Sequence, residues 1–106
     1  MEELKQRIKQ HEGFRRTVYL DSLGKRTVGY GHLCVEDFWE DDKEYSKEFL
    51  DEIFEQDFQN AADQCQDFCN ENDLEITDKA IEVLIEMIFQ LGIGNVNKFR
   101  RMIAAL

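Results

Sequence analysis

From Phe49 to Cys69 the apolar residues Phe49, Leu50, Ile53, Phe54, Phe58, Ala61, Ala62, Cys65, Phe68 and Cys69 recur at steps of three and four. Those steps match the pitch of an α-helix, and a stripe this long must be laid against a core. Ser46 stands just ahead of it and can cap the freed N–H groups of a first turn, so one long helix is expected over residues 46–69. A chain of 106 residues has room around that helix for one small domain. With eight Phe and no Pro, the body is expected to be mainly helical with few rigid loops.

The remaining elements follow from local pattern. Leu4 and Ile8 sit one turn apart, and Gly13 is placed to stop a short helix over 3–13. In "RTVYLDSLGKRTVGYG", alternating Thr, Val and Tyr flank a turn at Asp21-Ser22-Leu23-Gly24, which predicts a small antiparallel hairpin. Residues 34–45, "CVEDFWEDDKEY", read as an acidic connector carrying Phe38 and Trp39. After a polar loop, Thr77 can cap a second helix, "DKAIEVLIEMIFQLG", apolar nearly all round, hence expected to be central and buried, and ended by Gly92. A last amphipathic segment carries Val96, Phe99, Met102, Ile103 and Leu106. The expected organisation is one domain: a lobe with connector over 1–45, a linking helix over 46–69 and a partial helical lobe over 70–106.

Charge removes several classes of partner. Thirteen Lys and Arg against 23 Asp and Glu leave a net charge of −10. Nucleic acid and anionic membrane surfaces both need basic patches to neutralise phosphate, so neither is expected as a partner. The longest apolar run, "VLIEMIFQLGIG", is broken by Glu86 and too short to span a bilayer. The start, "MEELKQRIKQHEG", lacks an apolar signal core, so synthesis in the cytoplasm is expected. Cys34, Cys65 and Cys69 form no closed disulfide framework, and an odd count fits a reducing compartment. Cys65 and Cys69 lie one turn apart with no His or further Cys at zinc-site spacing. They read as small apolar residues on a buried helix face, and neither a metal nor an organic cofactor is expected.

Glu12, Asp21, Thr27 and His32 stand among strand-forming residues. Glycoside hydrolysis needs one carboxylic acid to protonate the leaving oxygen and a second group to manage the opposite face of the sugar. A glutamate at a helix end and an aspartate on a facing hairpin could flank a sugar in that way. A threonine hydroxyl, both donor and acceptor, could help hold a water. Ordinary roles fit the same residues: Asp21 bonding its own turn, Thr27 in a strand, His32 as a paired histidine, Glu12 on a helix surface.

The segment "HEGFRRTVYLDSLGKRTVGYGHL" resembles the N-terminal active-site segment of phage-type lysozymes, the endolysins that cleave bacterial peptidoglycan. That family's pattern is E-G, then Y-x-D, then T-x-G-x-G-H. It is matched by Glu12-Gly13, Tyr19-Leu20-Asp21 and Thr27-Val28-Gly29-Tyr30-Gly31-His32, with both spacings kept. "IFEQDF" around Asp57 is similar to the start of the family's long interdomain helix. "IEMIFQLGIGNVNKF" is similar to its central helix, followed by a Gly-rich turn and Phe99.

The resemblance implies an α+β, lysozyme-like fold, mainly helical with a small antiparallel β-hairpin lobe. It implies Glu12 as the general acid, with a pKa raised by burial or nearby negative charge. Asp21 and Thr27 would activate the attacking water in an inverting displacement, with the two carboxyl groups typically ~6.5–9.5 Å apart. His32 and Asp57 would form a structural pair, while Tyr30, Leu33 and Gln90 would meet substrate. The partner implied is a peptidoglycan glycan strand, reached after release from the cell interior. The family pattern also implies further helices beyond Leu106, a longer and less acidic connector, and often a basic protein. The chain is therefore expected to be C-terminally shortened. The apolar faces of "VLIEMIF" and "FRRMIAAL" are then expected to be uncovered, pairing with another chain or leaving the fold marginal. A second function follows from that surface together with the acidic face: a weakly hydrolytic, lysozyme-like binding or interaction module that uses both to engage a protein partner.

Overall fold

In a computed structural model, which describes residues 1–72, 75 and 77–91, the chain opens with α1, Glu2–Glu12. Leu4 and Ile8 form its buried stripe. Glu2 and Glu3 in the first turn, and Lys9 and His11 in the last, complement the helix dipole. Gly13, at φ 73°, donates its N–H to the Lys9 carbonyl at 3.0 Å and turns the chain out of the helix.

Three antiparallel strands follow in the order β1-β2-β3: Arg15–Leu20, Arg26–Gly29 and His32–Leu33. The sequence predicts two of them. The third forms because the chain reverses at Tyr30-Gly31 and returns along β2, pairing Thr27 with Leu33 and Val28 with His32. Between β1 and β2, Tyr19 pairs with Thr27 and Leu20 with Arg26, with an irregularity in register between Arg15 and Tyr19. The sheet and helices together make an α+β fold, mainly helical with one small antiparallel sheet.

Val28, fully buried, packs with Trp39, Tyr45 and Leu50. This cluster explains the connector. Trp39 and Tyr45 meet edge to face at 4.8 Å, and Tyr45 is tied to β1 through its N–H to the Arg16 carbonyl and its own carbonyl to Arg16 Nε. Arg26 reaches from β2 to the Trp39 carbonyl and the Asp41 carboxylate. Residues 34–45 are thus a packed flap, folded back on the sheet by two aromatic residues.

α2 spans Lys47–Glu71. Ser46 Oγ accepts the Phe49 N–H at 3.2 Å, the cap its position predicts. Leu50, Phe54, Phe58, Ala61, Cys65, Phe68 and Cys69 are buried along one stripe. The helix runs two residues past its predicted end, and there the Asn72 side chain donates to the Phe68 carbonyl at 2.7 Å.

The chain divides into two compact units, Met1–Asp57 and Phe58–Leu106. In the second, α3 spans Asp78–Leu91 and Thr77 Oγ1 accepts the Ala80 N–H at 3.2 Å. The expectation of a helix buried all round needs correction. Ile85 and Ile88 are buried, but Val83 is 51% exposed. Ile81, Ile85 and Ile88, four and three apart, share a stripe, and Val83 falls on the opposite side. Cys65 lies in this unit with its sulfur 4.0 Å from the Ile81 carbonyl, its thiol pushed up to about 11 by burial and by Cys69. Among the described residues no helix is long and apolar enough to cross a membrane. Gly92 and the predicted last segment, with "FRRMIAAL", lie outside the described residues.

Ser46→Ala is expected to lower the unfolding free energy by about 1 kcal/mol in urea titrations followed by circular dichroism. An unchanged midpoint would show that the cap contributes nothing.

Candidate active site

Glu12 is the last residue of α1, and its half-buried side chain turns toward the sheet. A Cβ built on Gly31 would collide with Glu12 Oε2 and lie 3.1 Å from Cδ. The carboxyl group therefore rests on the bare backbone of the β2–β3 turn. Gly31 also has φ +77°, so an L side chain there would be strained as well as obstructed. Burial pushes the Glu12 pKa above its ordinary 4.5, against a smaller opposing effect of His11. The direction matters chemically: a raised carboxyl keeps its proton closer to neutral pH, as a proton donor must.

Asp21 is fixed by the turn it begins. Its Oδ1 accepts N–H groups from Leu23 and Lys25, each at 2.8 Å, while its backbone N–H donates to the Lys25 carbonyl. The carboxylate plane is set by local hydrogen bonds, and among the described residues Oδ2 accepts none.

Thr27 lies on β2 and is 3% exposed. Adjacent residues of a strand face opposite sides, so with Val28 in the core Thr27 faces the other side. Its hydroxyl donates to the Lys25 carbonyl at 2.9 Å, which leaves the oxygen's lone pairs able to accept. Directly paired residues share a face, so Tyr19, Thr27 and Leu33 form one row across the sheet.

Tyr19 connects the three. Burial raises the pKa of its phenol, the charge of Glu12 adds to this, Arg15 opposes it, and Asp21 adds again. One side chain thus senses both carboxylates while standing across from Thr27.

The phage lysozyme family model matches residues 9–105. The chain belongs to the phage lysozyme family. No curated protein matches it. At the level of that family, membership implies glycoside hydrolysis of peptidoglycan.

The other candidates of this phage-lysozyme chain lie at varied depths. Leu33 is 43% exposed at the end of the row. Tyr30 is partly buried, its ring 4.7 Å from Phe14 and edge-on to Phe54 at 5.3 Å. Gln90 is exposed on α3, in the second unit, whereas every other candidate belongs to the first. His32 Nδ1 lies 2.8 Å from Asp57 Oδ2, and Nε2 lies 2.9 Å from Glu36 Oε1. Trp39 Nε1 donates to the same Glu36 carboxylate at 3.1 Å.

Three residues of the site escaped the sequence reading. Tyr19 stood within the matched Y-x-D pattern without a role, and only the strand register sets it opposite Thr27. Gly31 stood within the matched T-x-G-x-G-H pattern without a role, yet it is the surface Glu12 rests on. Glu36 lies four residues after His32 but on no helix, so no spacing rule pairs them.

Burial disfavours the charged form of His32, but its bonds to Asp57 and Glu36 and their charges outweigh this and raise its pKa above 6.5. Burial likewise raises Glu36, but bonds from Trp39 and His32 outweigh it and hold the carboxyl below 4.5. A raised His32 stabilises the fold fully below pH 6.5 and loses that contribution as pH rises through its folded value. The lowered Glu36 contributes fully above pH 4.5 and loses it as pH falls. His32→Asn is therefore expected to cost more stability at roughly pH 5.5 than at roughly pH 9. Urea titrations at both values check this, and equal losses would contradict it. Gly31→Ala is expected to destabilise the fold by about 1–2 kcal/mol through its positive φ. It should also move the NMR titration midpoint of Glu12, and an unchanged midpoint would contradict the contact.

Proposed function

We propose that this chain hydrolyses the glycosidic bond between the amino sugars of peptidoglycan by an inverting displacement. Glu12 gives its proton to the glycosidic oxygen as the bond to the anomeric carbon breaks. A water held by Asp21 and Thr27 attacks that carbon from the opposite face, and Asp21 takes the proton that the water releases. Two features support the water-holding role. The Leu23 and Lys25 N–H groups hold Asp21 Oδ1, which leaves Oδ2 to face the water. Thr27 donates to the Lys25 carbonyl and so presents its oxygen as an acceptor.

The observation that carries this reading is the half-buried Glu12 carboxyl, raised by desolvation where it rests on Gly31. Leu33 and Gln90 are the proposed sugar contacts, and the protein is proposed to be made in the cytoplasm and to act on the wall after release. Wild type is expected to clear suspensions of outer-membrane-permeabilised bacteria. Glu12→Gln should clear them at least about a hundredfold more slowly, since the amide offers no proton to the leaving oxygen. No clearing by wild type, or equal clearing by the variant, would sink the proposal.

A second reading rests on the exposed Leu33, Val35 and Phe38 of β3 and the flap, where Val35 is 78% exposed. An interaction module would use this surface to engage a protein partner. Light scattering addresses its self-pairing form: a monomer at all concentrations would remove it.

A further inference from the structure

Tyr30 sits between Gly29 and Gly31, two residues with positive φ and no side chain to brace the turn. Its side chain is held from several directions instead. The Phe14 ring lies 4.7 Å away and Phe54 meets it edge-on at 5.3 Å. The Lys9 ammonium is 5.0 Å from the centre of the Tyr30 ring and 4.9 Å from that of Phe54. The same ammonium lies 3.9 Å from Asp51 Oδ1, a buried oxygen that accepts no hydrogen bond among the described residues. The other Asp51 oxygen takes Lys47 at 2.7 Å. Burial first, and then the Asp51 charge, raise the pKa of the Tyr30 phenol, with Lys47 opposing them.

The order of these residues along the chain matters. Lys9 stands three residues before Glu12 and Phe14 two after it, and both grip Tyr30. Gly31, the next residue after Tyr30, is the one on which the Glu12 carboxyl rests. The end of α1 and the β2–β3 turn are therefore joined twice, once through the Tyr30 ring and once through the Glu12–Gly31 contact. The first joint is large and packed. The second has only a carboxyl against a backbone, and a water molecule would enter readily if the first were loosened.

We propose that Tyr30, seated by Lys9, Phe14 and Phe54, is a positioning residue that holds the Glu12 carboxyl against Gly31 and so acts on catalysis through Glu12. This role takes the place of the sugar contact that the family resemblance implies for Tyr30, and it rests on the hydrolytic reading above. Removing the ring frees the turn and admits water to Glu12. Among the described residues, the titratable groups that interact electrostatically with that carboxyl are His11 from α1 and Tyr19 from β1, and neither replaces the lost burial. The carboxyl then titrates nearer its ordinary value and spends less time aligned with the leaving oxygen.

Kinetics of Tyr30→Ala on solubilised peptidoglycan should show kcat falling by about tenfold to a hundredfold, with KM changing less than about twofold. The descending limb of kcat against pH should move to lower pH, because the general acid must stay protonated. Tyr30→Phe should recover most of the lost kcat. A raised KM at unchanged kcat would overturn the proposal in favour of a sugar contact. An equal loss in Tyr30→Phe would overturn the role of the ring. Phe14→Ala covers the case in which Tyr30→Ala does not fold, since Phe14 is 37% exposed and removes only one wall of the seat. Carboxyl-carbon NMR of Glu12 in wild type and Phe14→Ala needs no turnover. A lower midpoint in the variant supports positioning, and an unchanged one overturns it. A lowered midpoint with an inactive wild type would sink hydrolysis and leave positioning standing.

Discussion

The carboxyl of Glu12 lies against a backbone that bears no side chain, and the chemistry of the site depends on that contact. A carboxylic acid in water loses its proton well below neutral pH, and only removal from water or added negative charge delays this. Here the first cause dominates: Glu12 is desolvated where it meets Gly31. The contact needs the end of α1 and the turn between β2 and β3 to approach more closely than any residue but glycine allows.

That approach is held by a short run of residues that meets α2 turn by turn. Val28 packs on Leu50, and a Cβ on Gly29 would come within 3.3 Å of the Leu50 side chain. Tyr30 meets Phe54, and His32 meets Asp57. Each contact is of a different kind: apolar packing, bare backbone, ring on ring, and charge on charge. From 28 to 32 larger residues alternate with two glycines, of which Gly29 leaves room for Leu50 of α2 and Gly31 leaves room for Glu12. The flap over 34–45 closes the remaining side by placing Trp39 and Tyr45 on Val28, and its Glu36 joins the His32 pair.

Helices and caps were legible in the sequence because their signals are local. Three- and four-residue steps announced α2, and the hydroxyls of Ser46 and Thr77 lie where their positions predict. The third strand was not legible, because two residues carry no periodicity and their pairing depends on a reversal at Tyr30-Gly31. The packed flap was missed for a related reason: its acidic residues dominate the composition, whereas Trp39 and Tyr45 decide its fold. At the site, residue types and intervals marked Glu12, Asp21 and Thr27, but spacing carries no information on depth. The burial that raises Glu12, the register that sets Tyr19 against Thr27 and the seat of Tyr30 all come from residues distant in sequence.

With Glu12 at the leaving oxygen and Asp21 and Thr27 holding a water on the opposite face, as proposed, the reaction inverts the anomeric carbon. Proton NMR of a peptidoglycan digest, recorded within the first minutes of cleavage, reads the anomeric configuration before mutarotation scrambles it. Inversion gives a first-formed reducing end with the configuration opposite to that of the bond cleaved. A first-formed product with the configuration retained would contradict it.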